Sequence, residues 1–162
     1  WGGGRRGTVR GGDGGAVGEW RPWSLGGGRC PYEWGVLGHC DADVRLHSVM
    51  DALLGAAALG DIGRHFPDTD PAYKGADSLE LLKAVGKKIA AAGYRVGNVD
   101  VTMIAQRPKL KDYIPVMEAN ISGALGVSRN LINVKATTEE HLGFTGEGLV
   151  MPCHALCFLA EI

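Results

Sequence analysis

The stretch from residue 39 to residue 70 constrains the fold of this chain more than any other. It holds six aspartates and three histidines around an otherwise apolar run. Asp43, His47 and Asp51 stand four residues apart, a spacing that places side chains along one face of a helix. The opposite face is apolar and is formed by Leu46, Val49, Met50, Leu53, Leu54 and Ala57. We therefore predict a helix over residues 43–59 that packs one face on a core and presents polar ligands on the other.

These polar residue types predict a site for a metal ion and phosphate groups. A neutral imidazole is among the commonest metal ligands, and a carboxylate beside it either ligates directly or fixes the imidazole tautomer through the second ring nitrogen. The alternative interpretation is a solvated helix face on which aspartate and histidine occur incidentally. The spacing by itself leaves both interpretations open.

The size and charge of the chain limit the classes of protein to which it can belong. With 162 residues, 45% of them hydrophobic and 22% charged, the chain can form one domain with a sizeable core. The 17 basic and 18 acidic side chains nearly cancel. This balance argues against a nucleic-acid partner and against a polybasic membrane patch, and it favours a small or compact charged ligand.

The cysteines and the apolar runs predict the cellular compartment. Cys30, Cys40, Cys153 and Cys157 form no Cys-x-x-Cys pair, and four cysteines are too few for a disulfide scaffold. No run reaches transmembrane length, and the beginning of the chain lacks the apolar core of a signal peptide. We expect reduced thiols and a bacterial-type cytoplasmic location, or a plastid location if a transit segment is missing.

The organisation of the chain changes at about residue 29. Residues 1–28 hold 12 of the 26 glycines and show no clean periodicity, so we interpret them as a poorly specified segment. Residues 29–162 are expected to form the main domain, and residues 1–162 form one domain if the N-terminal segment folds.

Local patterns from residue 43 onward predict alternating helices and strands. Gly60 is expected to close the first helix, and Asp77 with Glu80 resembles a capping box that starts a second helix ending at Gly93. A third helix falls within residues 113–125, with Pro115 in its first turn and Gly126 after its end. Strands are predicted over residues 94–106, 132–137 and 154–162. This order indicates an α/β (α+β layered) fold, with helices packed over a single sheet.

Several motifs carry a resemblance to a known enzyme family. They occupy residues 26–33, 38–44, 51–63, 66–71, 73–78, 97–102, 105–109, 133–138 and 142–146. In order and spacing they resemble 2-C-methyl-D-erythritol 2,4-cyclodiphosphate synthase of the non-mevalonate isoprenoid pathway, and the resemblance extends from residue 26 to residue 162. It implies α/β subunits with helices on one face of the sheet, assembled as a homotrimer with active sites between neighbours.

The resemblance also implies a reaction. In this family the 2-phosphate of 4-diphosphocytidyl-2-C-methyl-D-erythritol 2-phosphate attacks the β-phosphate of its own diphosphate, which closes a cyclic diphosphate and releases CMP. Because the nucleophile belongs to the substrate, such a phosphorus-oxygen lyase needs no serine or cysteine nucleophile. It must fold the substrate and neutralise charge on the phosphoryl oxygens.

Roles for individual residues follow from the same resemblance. His39 and Thr138 match residues that stabilise the transition state. Asp13 and His47 match zinc ligands, and Glu140 matches the carboxylate associated with a magnesium or manganese ion. The positions that match substrate-binding residues are Cys40, Asp61, Ile62, Gly63, Phe66, Pro67, Asp68, Thr69, Asp70, Ala105, Gln106, Pro108, Lys109, Leu110, Ala136, Thr137 and Phe144.

One departure from the family pattern leaves a second function open. The family has an Asp-x-His motif in which the histidine is a third zinc ligand, and Gly15 stands at that position here. Two ligands hold zinc more weakly than three. The alternative to an active cyclase is therefore a catalytically impaired homologue or gene fragment that retains nucleotide binding or trimer assembly.

Overall fold

The computed structural model describes residues 4–11, 17–19, 23–25, 28–30, 34–36, 44–67, 69–73, 75–147 and 151–162. The strands are β1 (Gly4–Gly11), β2 (Val17–Glu19), β3 (Trp23–Leu25), β4 (Gly28–Cys30), β5 (Trp34–Val36), β6 (Tyr94–Ile104), β7 (Ile132–Thr137) and β8 (Cys153–Glu161). The α-helices are α1 (Val44–Ala56), α2 (Ile62–His65), α3 (Ser78–Ala91), α4 (Ile114–Leu125) and α5 (Gly143–Gly146). Short 3-10 helices cover Pro71–Tyr73 and Arg129–Leu131.

The main sheet has four strands in the order β1-β8-β6-β7. β8 runs antiparallel to both β1 and β6, whereas β6 and β7 are parallel. Parallel neighbours need a crossover connection, and α4 lies in the segment that joins these two strands. Two further ribbons, β2 with β5 and β3 with β4, lie outside this sheet.

Helices α1, α3 and α4 pack on the main sheet. Alternate strand residues enter one core with these helices, as period-two geometry requires, and they are Val99, Val101, Met103, Ile132, Val134, Cys153, Ala155, Cys157 and Leu159. The six residues predicted to form the apolar stripe of α1 are all buried in the same core. The predicted α/β architecture is therefore confirmed.

The N-terminal segment contains a strand that the sequence pattern did not reveal. Every residue of β1 pairs with β8, from Gly4 opposite Ala160 to Gly11 opposite Cys153. Because glycine has no side chain, a glycine-rich strand shows no alternation of apolar and polar residues in the sequence. The pairing with β8 defines this strand instead. A division of the chain at residue 28 stays a prediction, and this pairing favours one domain.

The end of α1 differs from the prediction. The helix ends at Ala56, and Ala58 takes the left-handed conformation with φ of 58° that Gly60 was expected to supply at the cap. The Leu59 N–H donates to the Leu54 carbonyl at 2.9 Å and the Ala58 N–H to the Gly55 carbonyl at 3.1 Å. These two bonds are a Schellman closure, which holds a non-glycine residue in the left-handed region.

The other predicted elements lie close to their expected bounds. Asp77 caps α3, because its Oδ1 accepts a hydrogen bond from the Leu79 N–H at 2.9 Å. Gly126, with φ of 66°, closes α4 as expected. β7 covers residues 132–137 as predicted, β6 ends two residues early and β8 begins one residue early. Across the described ranges, none of the helices combines the length and hydropathy of a membrane span.

Candidate active site

The first group of candidate site residues lies in the segment from Asp61 to Asp70, which contacts the polar face of α1. His47 is half-buried on this helix. One turn later, Oδ1 of Asp51 accepts a hydrogen bond from the Ile62 N–H at 2.8 Å. This bond fixes the start of α2 against α1, so the helix that carries His47 also positions the segment that begins at Asp61. Asp43, predicted to lie on the same face, is outside the described residues.

Asp61 shapes the segment that follows. It is the N-cap of α2, and its Oδ1 accepts a hydrogen bond from the Arg64 N–H at 2.9 Å. The His65 ring lies with Nε2 2.9 Å from the carbonyl oxygen of Leu59. Asp61 itself is exposed, so a carboxylate that orders its own backbone also faces solvent, where hydroxyl groups of a ligand can reach it.

The far end of this segment is held by an aromatic pair and a second aspartate. The rings of Phe66 and Tyr73 meet edge to face with centroids 5.3 Å apart. Oδ1 of Asp70 accepts a hydrogen bond from the Ala72 N–H at 2.9 Å. These contacts hold the two ends of the segment, at Asp61 and at Asp70.

A second candidate segment lies at the carboxyl ends of β6 and β7. Because these strands are parallel, the segments that follow them leave the sheet at the same edge. The pairing continues beyond β6, since the Ala105 N–H donates to the Thr137 carbonyl at 2.9 Å. Gln106 is consequently brought beside the turn that follows β7. The peptide bond between Arg107 and Pro108 is cis.

That turn holds two of the predicted functional side chains together. The Thr138 hydroxyl lies 3.0 Å from Oε1 of Glu140, to which it donates a hydrogen bond. Glu140 and His141 both adopt positive φ, at 50° and 65°. Such backbone costs energy for residues other than glycine and needs support from its surroundings.

The Leu142 N–H closes this turn by donating to the Glu139 carbonyl at 2.9 Å, and Gln106 supports the turn from the neighbouring segment. Oε1 of Gln106 accepts a hydrogen bond from the His141 N–H at 3.3 Å, and its Nε2 lies 3.2 Å from Nε2 of the His141 ring. On the other side, α5 approaches so closely that a Cβ at Gly146 would lie 2.7 Å from the Cα of His141.

The structure places the remaining predicted residues unevenly. Lys109 and Ala136 are exposed, whereas Ala105 and Leu110 are buried in the core and can offer a ligand only their backbone. Asp13, His39, Cys40 and Asp68, together with the side chain of Phe144, lie outside the described residues. Their roles stay predictions, as do those of the placed residues.

Sequence reasoning missed His141 and the two polar contacts that order these segments. His141 follows two glutamates directly, and that run was the available indication. The parts of the chain that are described contain no group of three or more His, Cys, Asp or Glu residues able to hold a metal ion. Asp13 is not among them, so its predicted pairing with His47 stays a prediction.

The fold and these two segments define an α/β protein in which helices pack on a four-stranded main sheet, with candidate ligand-binding residues at the ends of its parallel strands and beside a helix. The chain matches the YgbB family over residues 9–160 and belongs to that family. The resemblance found in its motifs is confirmed, because similar proteins are named 2-C-methyl-D-erythritol 2,4-cyclodiphosphate synthase.

One of these relatives is the 2-C-methyl-D-erythritol 2,4-cyclodiphosphate synthase of Clostridium perfringens. It is 57% identical over 143 residues, which are 88% of this chain and 92% of the relative. Among solved structures, the bifunctional IspDF of Campylobacter jejuni superposes with a TM-score of 0.89 and 41% identity, covering 98% of this chain and 42% of the other. A CDP complex of IspF from Plasmodium falciparum has a TM-score of 0.82 and 31% identity, covering 99% of this chain and 98% of the other.

Proposed function

We propose that this chain cyclises 4-diphosphocytidyl-2-C-methyl-D-erythritol 2-phosphate to 2-C-methyl-D-erythritol 2,4-cyclodiphosphate and releases CMP. The observation that carries this proposal is the 57% identity to a synthase of that name over 88% of the chain. The relative solved with CDP supports a cytidine nucleotide as the ligand. These relationships favour an active cyclase over the impaired homologue.

The chain's own residues would act by positioning. In this reaction the 2-phosphate of the substrate attacks the β-phosphorus, and the bond from that phosphorus to the CMP oxygen breaks. Catalysis therefore depends on bringing the two phosphates together and on hydrogen bonds to their oxygens. Thr138 offers a hydroxyl beside Glu140, and exposed Lys109 offers a positive charge at the same edge of the sheet. Asp61 and Asp70 would accept hydrogen bonds from the hydroxyl groups of the methylerythritol.

We propose that His47 with Asp13 would hold zinc and that Glu140 would hold magnesium or manganese. A half-buried imidazole suits zinc, and an exposed carboxylate suits the harder ions. The hydrogen bond from Thr138 engages Oε1 of Glu140, and Oε2 is the oxygen that would ligate the metal ion. A divalent ion, when bound, supplies positive charge that offsets the negative charge on phosphoryl oxygens.

A homotrimer in the cytoplasm is the assembly and location that we propose. The sheet face opposite the helices carries Leu156, which is 42% exposed in the protomer. In the trimer that the family resemblance implies, this apolar side chain would be buried against another subunit. The four cysteines of the chain are too few for a disulfide scaffold, and Cys153 and Cys157 are buried in the core, which supports a reducing compartment.

A CMP-release assay with the purified protein tests the activity. We expect CMP to appear when the substrate is supplied with zinc and magnesium, and to disappear after chelation. The metal content of the same sample should be measured. If CMP is absent at saturating concentrations of both ions while CDP still binds, the impaired homologue is the correct function.

The Gly15→His variant tests the metal proposal separately. It restores the third ligand of the family motif, so zinc affinity and turnover should rise together. Gly14→His is the matched control, because it adds the same imidazole one position away. Equal effects of the two variants would show that Asp13 and Gly15 do not occupy the ligand positions.

A further inference from the structure

Gln106 contacts His141 through both ends of its side-chain amide. The carbonyl end accepts a hydrogen bond from the His141 N–H at 3.3 Å, and the amino end lies 3.2 Å from Nε2 of the His141 ring. The two residues are 35 positions apart and belong to the segments that follow the parallel strands β6 and β7. One side chain thus joins two segments that leave the same edge of the sheet.

The chemistry of the amide fixes the direction of both bonds. A backbone N–H can only donate, so the atom facing it must be the amide oxygen. The amide nitrogen then faces the imidazole, and because that nitrogen only donates, Nε2 of His141 must accept. Residue 141 must therefore place a hydrogen-bond acceptor at the same distance from the backbone as Nε2 of histidine.

The turn that receives these bonds is not held by its own backbone preference. Glu140 and His141 are consecutive residues with positive φ, and neither is glycine. Thr138 donates to Oε1 of Glu140 inside this turn. A change in the φ of His141 would therefore move the Glu140 carboxylate relative to the segment that begins at Ala105.

We propose that Gln106 and His141 form a positioning pair that holds the turn of Thr138 and Glu140 in register with the segment from Ala105 to Leu110, which contains positions that match substrate-binding residues. This proposal rests on the proposed function, because Thr138 and Glu140 act on the phosphates in that function. Neither Gln106 nor His141 needs to touch the reacting atoms. Their effect on the reaction passes through the placement of Thr138 and Glu140.

Two substitutions of His141 separate this role from a backbone effect. His141→Gln places an amide oxygen close to the position of Nε2 and keeps the acceptor. His141→Asn places its oxygen too close to the backbone to reach Gln106, but asparagine tolerates positive φ better than glutamine does. The pair therefore predicts that Gln is the better replacement, whereas a backbone effect predicts that Asn is.

The first measurement is the steady-state rate of CMP release at saturating metal. We expect kcat for His141→Gln to stay within about twofold of the wild type, and kcat for His141→Asn to fall about threefold to tenfold, the effect of one lost hydrogen bond. KM should change less than kcat, because His141, the residue substituted here, places the catalytic turn and is not among the positions that match substrate-binding residues. A His141→Asn variant at least as active as His141→Gln would overturn the proposal.

The second measurement needs no turnover. Exchange of the His141 backbone amide, followed by NMR in the ligand-free protein, should accelerate about threefold to tenfold in Gln106→Ala and should not change in His141→Gln. Unchanged exchange in Gln106→Ala would show that the pair does not hold the turn. If the wild-type protein releases no CMP, the proposed function fails by itself, and the exchange result still decides whether the pair exists.

Discussion

At the scale of single residues, Asp77 shows how one side chain determines where a helix begins. Its carboxylate accepts the Leu79 N–H, one of the four N–H groups that the first turn of a helix leaves without a partner. We expect Asp77→Ala to lower the free energy of unfolding by about 1 kcal/mol, measured by urea denaturation. Asp77→Ser keeps a capping oxygen and should retain most of the stability. Equal losses in both variants would contradict the capping role.

Gly146 is constrained by space. A Cβ at this position would overlap the backbone of His141, and backbone atoms cannot turn aside as a side chain can. We expect Gly146→Ala to cost about 1–3 kcal/mol of stability and to lower turnover through the turn that carries Glu140, as measured by thermal unfolding and CMP release.

Gly123 provides the matched control for that substitution. It lies in α4, and a Cβ there would meet no atom within 4 Å. Gly123→Ala should therefore stabilise the protein by about 0.5–1 kcal/mol through helix propensity. If both alanine variants shift stability in the same direction, the close approach of α5 to His141 is not the cause.

At the scale of elements, a polar cluster joins β6 to β7 on the sheet face opposite the helices. Asp100 stands opposite Asn133 in the strand register and accepts a hydrogen bond from its Nδ2 at 2.7 Å, while Lys135 forms an ion pair with the other carboxylate oxygen. Burial raises the pKa of Asp100. The hydrogen bonds from Lys135 and Asn133 and the charge of Lys135 together lower it by a larger amount, so the pKa lies below its ordinary value.

This shift predicts a pH dependence of stability. Because the folded state lowers the pKa of Asp100, its contribution is complete above the unfolded value of about 4 and is lost as the pH falls through the lower folded value. Asp100→Asn should therefore be less stable than the wild type at pH 6, by less than about 1 kcal/mol for a pair that is partly exposed to solvent in the protomer. The difference should shrink towards pH 3, measured by urea denaturation at each pH.

The control for this prediction is Asp112→Asn, which removes an exposed carboxylate outside the sheet. Its stability relative to the wild type should change less between the two pH values than that of Asp100→Asn. A constant difference for Asp100→Asn at all pH values would mean that the carboxylate charge does not couple β6 to β7.

Elements with local determinants could be predicted, and those that depend on distant partners could not. α3 has its cap at Asp77 and α4 has its closing glycine at Gly126, so both were found from neighbouring residues. β1 was missed because its pairing with β8 joins the two ends of the chain. The cap of α1 was placed at Gly60 because propensity favours glycine; Gly60 does have a positive φ of 91°, but the hydrogen bonds that close the helix place its cap at Ala58.

The candidate site divides in the same way. Thr138 and Glu140 were found through motifs that lie close together in the sequence, and the structure brings them within hydrogen-bonding distance. The contact between Gln106 and His141 depends on the parallel register of β6 and β7 and on two residues with positive φ. Neither property leaves a periodic pattern in the sequence.

At the scale of the whole molecule, the sheet face opposite the helices carries an exposed apolar side chain whose role the structure of one protomer does not explain. Helices cover one face of the sheet, whereas the other carries the Asp100 cluster and Leu156. In the trimer that we propose, this face lies against other subunits. A charge placed at Leu156 would then have to lose its hydration on assembly, which costs several kcal/mol when no partner charge is present.

We therefore expect Leu156→Asp to shift the protein from trimer to monomer in light scattering after size-exclusion chromatography. Val116→Asp is the matched control, since Val116 is 50% exposed, against 42% for Leu156, but lies on α4 in the helical layer. It should remain a trimer. If active sites lie between subunits, Leu156→Asp should also lose CMP release while its circular dichroism stays that of a folded protomer. A monomeric wild-type protein, or a Leu156→Asp variant that stays trimeric, would show that this face does not form the subunit contact.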